Sequence, residues 1–184
     1  MIYAVITALA LSFVVVGICI YKNLEGNIKA ESEAKTENRI IYNQRGKGIC
    51  LYRVGLYPAS YNGCEVIAVH NALVMLGKES SLDKEIRLFQ RCGAVIGSGV
   101  FGSNPYLLGR VFRKIGIGYE KVGLKEIDNG IYIISYWNKK APLNGLHTVA
   151  ANAKDGDVKI INGGKFENIT EKAFICAYKL NIGG

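Results

Sequence analysis

The sequence predicts an α+β domain that follows one N-terminal membrane-spanning helix. Three features predict it: an uncharged stretch from Ile2 to Tyr21, helix-periodic apolar segments up to about residue 116, and short β-branched or aromatic segments from Ile117 onward. Because the helices precede the strands instead of alternating with them, the sheet is expected to be antiparallel. With 184 residues, 49% of them hydrophobic, the chain can form one substantial core.

Residues 1–21 are predicted to be a transmembrane anchor. The 20 residues from Ile2 to Tyr21 contain no charge, and at ~1.5 Å per residue they match a hydrocarbon layer of ~30 Å. A cleavable signal peptide is the competing interpretation. The absence of a basic start, the length of the apolar run and the lack of a small-x-small site favour the anchor.

The charges and the cysteines both favour a cytoplasmic domain over an extracytoplasmic one. All basic residues near the anchor follow it, which is typical of a cytoplasmic flank. The cysteines outside the anchor show neither a close pairing pattern nor metal-ligand spacing such as C-x-x-C, and they are Cys50, Cys64, Cys92 and Cys176. We therefore expect a single-pass membrane protein without a metal or other cofactor.

Residues 22–39 are polar and charged, and they predict a tether that is either a spacer or a continuation of the helix. Residues 1–40 carry four Lys or Arg and four Glu, so the net charge of +8 belongs to the remainder of the chain. Its lysines are scattered, without an arginine-rich run or a basic stripe interleaved with aromatic residues. We therefore expect a solubilising surface and no nucleic-acid partner; the expected membrane partner is bound through residues 2–21.

Residues 40–184 are predicted to form the globular domain, with three helices in its first half. An apolar stripe predicts the first helix from Cys64 to Leu76, with Gly77 as its stop. The second follows a Ser80-Ser81 cap and ends at Gly93. The third begins at Asn104-Pro105 and closes at Gly116.

Five strands are predicted in the second half, and one hairpin fixes a register. The strands are Ile117 to Val122, Ile131 to Trp137, His147 to Ala153, Val158 to Asn162 and Ala173 to Leu180. Asp155-Gly156 is a strong hairpin turn. Partners across that turn have numbers that sum to 311, so Val149 is expected to pair with Asn162. His147 and Asn162 then lie on the same face.

Cys64 is the candidate nucleophile, since Asn62-Gly63 forms a polar turn directly before its helix. The partial positive charge at a helix N-terminus favours a thiolate, so we expect a lowered pKa for this thiol. His147, at the start of a predicted strand, is the candidate base. His70 lies nearly two turns along the Cys64 helix, too far to accept the thiol's proton, and is expected to be structural.

The order of these motifs resembles the papain-like cysteine peptidases, most closely the bacteriocin-leader (double-glycine) peptidase family and its stand-alone relatives. The resemblance covers residues 50–165 through three motifs, Asn62-Gly63-Cys64, Leu146-His147-Thr148-Val149 and Ile161-Asn162-Gly163. It implies a papain-like fold, with the nucleophile helix packed on the antiparallel sheet. It also implies that Cys64 is the nucleophile, His147 the base and then acid, and Asn162 the group that holds the imidazole. The implied partners are a peptide or protein substrate and a membrane transporter or regulator.

The chain departs from that family on both sides of Cys64. The family keeps a glutamine about six residues before the nucleophile to stabilise the oxyanion, whereas residues 56–60 here contain none. The backbone N–H of Cys64 and one further group are expected to replace it, with Asn62 as first choice and Tyr61 as second. Glu65 stands where the family has glycine, and its carboxylate opposes a thiolate. A non-catalytic peptide-binding module and an acyltransferase or amidase with the same triad therefore stay open.

Overall fold

A computed structural model describes residues 2–138, 145–163 and 165–181. The helices are α1 (Ile2–Ala34), α2 (Ala59–Asn62), α3 (Cys64–Met75), α4 (Leu82–Arg91) and α5 (Leu108–Ile115). The strands are β1 (Arg53–Val54), β2 (Tyr57–Pro58), β3 (Gly118–Val122), β4 (Gly130–Asn138), β5 (Gly145–Lys154), β6 (Asp157–Ile160) and β7 (Phe174–Asn181). Short 3₁₀ turns connect several of them. The architecture is mixed α+β, as the sequence predicts.

Helix α1 is one continuous helix of 33 residues, and its two halves differ in their surroundings. The first half contains an 18-residue window of mean hydropathy 2.5, and none of that window is buried. This part is long and apolar enough to cross a membrane, and a signal sequence has the same character. The second half continues through most of the predicted polar tether and buries Asn27 and Ala30 against the domain.

Side-chain amides fasten α1 to the β1–β2 hairpin. Asn27 acts like a strand partner, since its Nδ2 donates to the Arg53 carbonyl at 2.8 Å and its Oδ1 accepts from the Arg53 N–H at 2.7 Å. Four residues earlier, Asn23 donates to the Gly55 carbonyl at 3.0 Å. These bonds satisfy backbone groups of a two-stranded ribbon that would otherwise have an open edge. The segment after the apolar run is therefore an integral part of the domain.

The three predicted helices of the first half are confirmed, except that the third opens with a 3₁₀ turn at Pro105–Leu107 before α5 begins. Helix α3 buries nine consecutive residues from Glu65 to Leu73, as expected for the central helix of the core. Helix α4 ends just before Gly93 and α5 just before Gly116, and both glycines have positive φ, 67° and 76°. That left-handed conformation is the usual helix stop and suits glycine best.

The five predicted strands form one antiparallel sheet of order β3-β7-β4-β5-β6. The β5–β6 ladder runs from Lys154↔Asp157 to Ala151↔Ile160, so each pair of numbers sums to 311 and the predicted hairpin register is confirmed. Strand β6 ends at Ile160, two residues earlier than predicted. Asn162 therefore lies beyond the ladder instead of pairing with Val149.

The two faces of the sheet pack in separate clusters, which decides where the site residues point. Ile133 and Ala150 pack with α3 on one face. Tyr136 and Val149 belong to a second cluster on the other face. Because side chains alternate along a strand, Thr148 faces α3, whereas His147 shares the opposite face with Tyr136.

Candidate active site

Cys64 is the first residue of α3, and Gly63 precedes it as the N-cap. A Cβ on Gly63 would lie 2.5 Å from the Ala59 carbonyl oxygen, so only glycine allows this tight turn. The thiol is half-buried where α3 meets β5. Backbone groups of Thr148, Glu65 and Cys64 itself act on the sulfur and favour its anion. The helix N-terminus therefore supplies the environment that the sequence predicts.

The expected lowering of the Cys64 pKa is nevertheless wrong. Burial raises the pKa of this thiol, the Glu65 carboxylate raises it further, and these two effects outweigh the backbone groups. Desolvation penalises a charged group strongly when little water remains, whereas a helix end contributes only ~0.3–1 kcal/mol at exposed sites. In the resting structure Cys64 is therefore a neutral thiol near pH 7.

Glu65 is the least expected feature of this site. Its side chain is buried at 1% exposure, and burial raises its pKa to about 8, although the Thr148 hydroxyl acts in the opposite direction. Neither carboxyl oxygen makes a full hydrogen bond to any residue that the structure describes. The Thr148 hydroxyl forms a hydrogen bond with the Ser135 hydroxyl, with the two oxygens 2.9 Å apart. Glu65 is therefore neutral at pH 7, and it ionises only above about pH 8.

His147 contacts the ring of Tyr136, its direct partner across β4 and β5. The two rings meet edge to face with centroids 5.7 Å apart. Burial lowers the pKa of His147, so its imidazole is neutral near pH 7. The pKa of Tyr136 is raised, first by burial and then by the nearby Cys64 charge. Tyr136 thus contacts His147 directly, whereas Cys64 acts on it only through charge.

The structure places Cys64 and His147 on different faces of the sheet, because α3 packs on the face of Ala150 whereas His147 shares the opposite face with Tyr136. Thr148 follows His147 in the chain and acts on the Cys64 sulfur through its backbone. Within the parts of the chain that the structure describes, no hydrogen bond joins the His147 ring to Cys64 or to another residue. Catalytic hydrogen bonds are often long in unliganded sites and tighten when substrate binds.

Asn162 uses its side chain on the backbone of β5. Its Oδ1 accepts from the Ala150 N–H at 2.7 Å, and its Nδ2 donates to the Thr148 carbonyl at 3.2 Å. The amide therefore extends the strand pairing past the end of β6. It fixes the backbone beside His147, and it makes no hydrogen bond to the imidazole in this structure.

The two predicted oxyanion donors lie just before Cys64 in α2 and are differently placed. Asn62 is buried, and its Nδ2 donates to the carbonyls of Gly99 at 2.6 Å and Val54 at 3.2 Å. Both N–H groups are thus in use, while its Oδ1 has no partner among the residues described. Tyr61 is 59% exposed, and its ring lies against Tyr57 with centroids 5.8 Å apart.

His70 is structural, as expected. It is fully buried, its Nε2 lies 2.8 Å from the Arg39 carbonyl oxygen and its Nδ1 lies 2.7 Å from the Ser80 hydroxyl. Over residues 2–138, 145–163 and 165–181, no three His, Cys, Asp or Glu side chains cluster in a way that could hold a metal ion.

Comparison with protein-family models and with curated proteins finds no match to this chain. Its function is therefore inferred from its own residues and their arrangement.

Proposed function

We propose that this chain is a membrane-anchored cysteine peptidase of papain-like fold, with α1 as its anchor and the domain on the cytoplasmic side. Cys64 is the nucleophile, His147 the base and then acid, and Asn162 a positioning residue. The observation that carries the proposal is the placement of the Cys64 thiol at the N-terminus of a buried helix, against the backbone of Thr148 and within electrostatic reach of Tyr136. His147 adjoins both of these residues.

The proposed reaction cleaves an amide bond in two steps. As the Cys64 sulfur attacks the carbonyl carbon, His147 takes the thiol proton, and a tetrahedral oxyanion forms. The C–N bond then breaks, and His147 returns the proton to the leaving amine, which leaves a thioester on Cys64. Water, deprotonated by His147, hydrolyses the thioester and regenerates the thiol.

The electrostatics favour proton transfer during the attack over a preformed ion pair. Burial raises the pKa of Cys64 and lowers that of His147, so both shifts stabilise the neutral thiol with the neutral imidazole. A bound peptide would have to bring the two groups into hydrogen-bonding distance. This resting state explains how the site could remain unreactive towards small electrophiles and still process a bound substrate.

The oxyanion would be stabilised mainly by backbone donors. The first turn of α3 contributes N–H groups of Cys64 and Glu65, which already act on the sulfur. Asn62 could contribute only after releasing the carbonyl of Val54 or Gly99. We therefore assign Asn62 first to holding the segment before Cys64, and we keep Tyr61 as the alternative side-chain donor.

A non-catalytic peptide-binding module is the second candidate. Two observations favour it: the raised pKa of Cys64 and the absence of a bond between the thiol and His147 among the described residues. In that case the surface around Cys64 would hold a peptide without turnover. An acyltransferase or amidase would use the same three residues, and it differs from a peptidase only in the acceptor of the acyl group.

A peptidyl epoxide probe tests the proposal on the full chain in lipid nanodiscs. We expect the probe to modify Cys64 at pH 7 much faster than Cys50, which is also a free cysteine and is exposed. The His147→Ala variant should lose this preference, because no base then removes the thiol proton. Peptide mass spectrometry measures both rates in one sample.

The control is Cys50→Ala, which should leave labelling of Cys64 unchanged. Equal labelling of Cys64 and Cys50, or labelling of Cys64 that survives His147→Ala, would contradict the enzymatic proposal. Labelling without product release from a peptide library would favour the binding module. An added amine that captures the acyl group in place of water would indicate acyl transfer.

A further inference from the structure

We propose that the end of the domain formed by the 93–103 loop and the α4–α5 basic cluster rests on the lipid surface in which α1 is anchored. The basic cluster consists of Arg91, Arg110, Arg113 and Lys114. The proposal rests on the membrane-spanning role of α1 given above, and it is independent of any catalytic role of Cys64.

The β1–β2 hairpin shows which end of the domain faces the membrane. Asn27 binds Arg53, and Asn23, about 6 Å closer to the apolar half of α1, binds Gly55. The chain therefore approaches the membrane from Arg53 to Gly55, and the hairpin tip lies at the level of Asn23. That level is two residues past Tyr21, where the uncharged stretch ends.

Helix α4 gives the same direction independently. Ser81, just before α4, donates to the Glu31 carboxylate at 3.3 Å, whereas Arg87 donates to the Leu24 carbonyl. The helix thus runs antiparallel to α1 and towards the membrane. Arg91 ends α4 four residues after Arg87, about 6 Å further along. The C-terminus of α4 therefore reaches the level at which α1 enters the apolar layer.

The loop that follows α4 exposes apolar side chains at this end. Ile96, Val100 and Phe101 are 38%, 45% and 74% exposed. The loop is held to the hairpin tip, since Leu56 N–H donates to the Ser98 carbonyl at 2.8 Å. Its three apolar side chains are thus presented next to the point where α1 leaves the membrane. Apolar side chains beside basic ones are typical of segments that lie in the lipid interface.

The basic cluster completes this surface. It lines a cavity of about 500 Å³ together with Cys92, and every charged side chain in the lining is basic. Its residues come from the end of α4 and from α5, so they flank the exposed loop. Anionic headgroups attract such clusters. The combination of apolar loop and basic cavity fits an anionic lipid surface, and it brings Cys64, two residues after the loop-bound Asn62, close to that surface.

Quenching of single tryptophans by brominated phosphatidylcholine tests the contact. Trp137, the only tryptophan of the chain, is replaced by Phe, and the full chain is reconstituted in vesicles of phosphatidylcholine and phosphatidylglycerol. The reporter is Phe101→Trp. The matched control is Glu79→Trp, an exposed position beside Ser80, which bonds Asn38 beyond the far end of α1. Val14→Trp reports whether α1 itself is in the bilayer.

We expect strong quenching at positions 14 and 101 and little at position 79. A side chain inserted ~5–10 Å into the interface lies near the brominated acyl chains and should be quenched more than one outside it. The pair Arg110→Glu and Lys114→Glu should reduce quenching at position 101, as should omission of phosphatidylglycerol. Both substituted side chains are exposed, so folding should be retained, which unchanged melting temperatures would verify.

Equal quenching at positions 101 and 79, with position 14 quenched, would overturn the proposal while leaving the anchor intact. Absence of quenching at position 14 would overturn it by removing its premise. Quenching at position 101 that ignores both lipid charge and the Glu substitutions would overturn the role of the basic cluster. Labelling of Cys64 by the epoxide probe is a separate measurement, so failure of the docking and failure of the peptidase proposal are distinguishable.

Discussion

The side-chain amide of Asn162 accepts a hydrogen bond from the backbone N–H of Ala150 at 2.7 Å and thereby replaces the strand pairing that β6 no longer provides. The same amide donates to the Thr148 carbonyl, so two buried backbone groups of β5 depend on one side chain. Thr148 follows His147 in the chain, and its backbone acts on the Cys64 sulfur. The position of Asn162 is thus coupled to the geometry of the site through the backbone.

Asn162→Ala should destabilise the domain by about 2–4 kcal/mol, because two buried backbone groups would lose their partners. Asn162→Asp should be nearly as damaging, since a carboxylate can accept from Ala150 but cannot donate to Thr148. Thermal unfolding in detergent micelles measures both. Asn152→Ala, at an exposed position on the same strand, is the control and should change little.

The Asp variant separates two roles of this residue. If Asn162 orients the imidazole, as the family resemblance implies, an aspartate should serve equally well and probe labelling of Cys64 should be retained. If it holds the backbone, both stability and labelling should fall together. An Asn162→Asp protein with normal melting and normal labelling would contradict the backbone role.

Much of the fold could be predicted because it follows from local patterns. The apolar stripes and glycine stops located α3, α4 and α5, and Asp155-Gly156 fixed the register of β5 with β6. What the patterns do not contain is the competition between side chains and backbone for the same hydrogen bonds. Asn27, Asn62 and Asn162 all satisfy backbone groups distant in sequence, and only the assembled fold determines which groups those are.

The position of Cys64 was predicted better than its electrostatics. The N-terminal placement of Cys64 is confirmed, but its pKa is raised instead of lowered, because tertiary packing removes water from the helix end. Tertiary packing also decides the environment of Glu65. A glutamate in a first helical turn usually faces solvent and favours the helix dipole. Here that turn is packed against β5, and no single-residue rule indicates this.

Glu65 should make the protein less stable as the pH rises from about 5 to 8. In the unfolded chain its pKa is near 4.5, whereas in the folded chain it is about 8. Between these values the unfolded state releases the proton and the folded state retains it, so increasing pH favours unfolding. Relative to Glu65→Gln, the wild-type protein should lose about 2–4 kcal/mol over this range.

Melting curves at several pH values, in the same detergent, measure this difference. The Gln variant should show a flatter dependence of the free energy of unfolding on pH. Glu79→Gln, at an exposed position, should follow the wild-type curve and serves as the control. Parallel curves for the wild-type protein and Glu65→Gln would show that Glu65 does not retain its proton in the folded state.

Glu65→Gln should also increase the reactivity of Cys64, but only at alkaline pH. Above about pH 8 the Glu65 carboxylate is charged and raises the thiol pKa, whereas at pH 6 it is neutral and has no such effect. A change of up to one pKa unit corresponds to an increase of about 3- to 10-fold in the alkylation rate at pH 9. Iodoacetamide suits this measurement, since it reports the thiolate fraction without requiring a bound peptide.

Cys50 provides an internal control in the same experiment, and its alkylation rate should be the same in both proteins. A Glu65→Gln effect of equal size at pH 6 and pH 9 would indicate that the substitution acts through packing and not through charge.

Gly99 should be the position in the 93–103 loop that tolerates substitution least. A Cβ there would lie 2.3 Å from the Val54 carbonyl oxygen and 2.9 Å from the Asn62 amide nitrogen, and φ is +94°. Gly93 also has a positive φ, +67°, but its Cβ would meet nothing within 4 Å. Gly93→Ala should therefore cost about 1 kcal/mol from backbone strain alone, and Gly99→Ala about 3 kcal/mol or more.

The two alanine variants also differ in their expected effect on Cys64. In Gly99→Ala the clash must displace either the loop or the Asn62 side chain, and Asn62 lies in the turn that sets the start of α3. At temperatures well below the melting point, probe labelling of Cys64 should therefore be reduced in Gly99→Ala and normal in Gly93→Ala. Equal losses of stability and labelling in both variants would mean that backbone strain, and not the Val54–Gly99–Asn62 contact, holds this part of the site together.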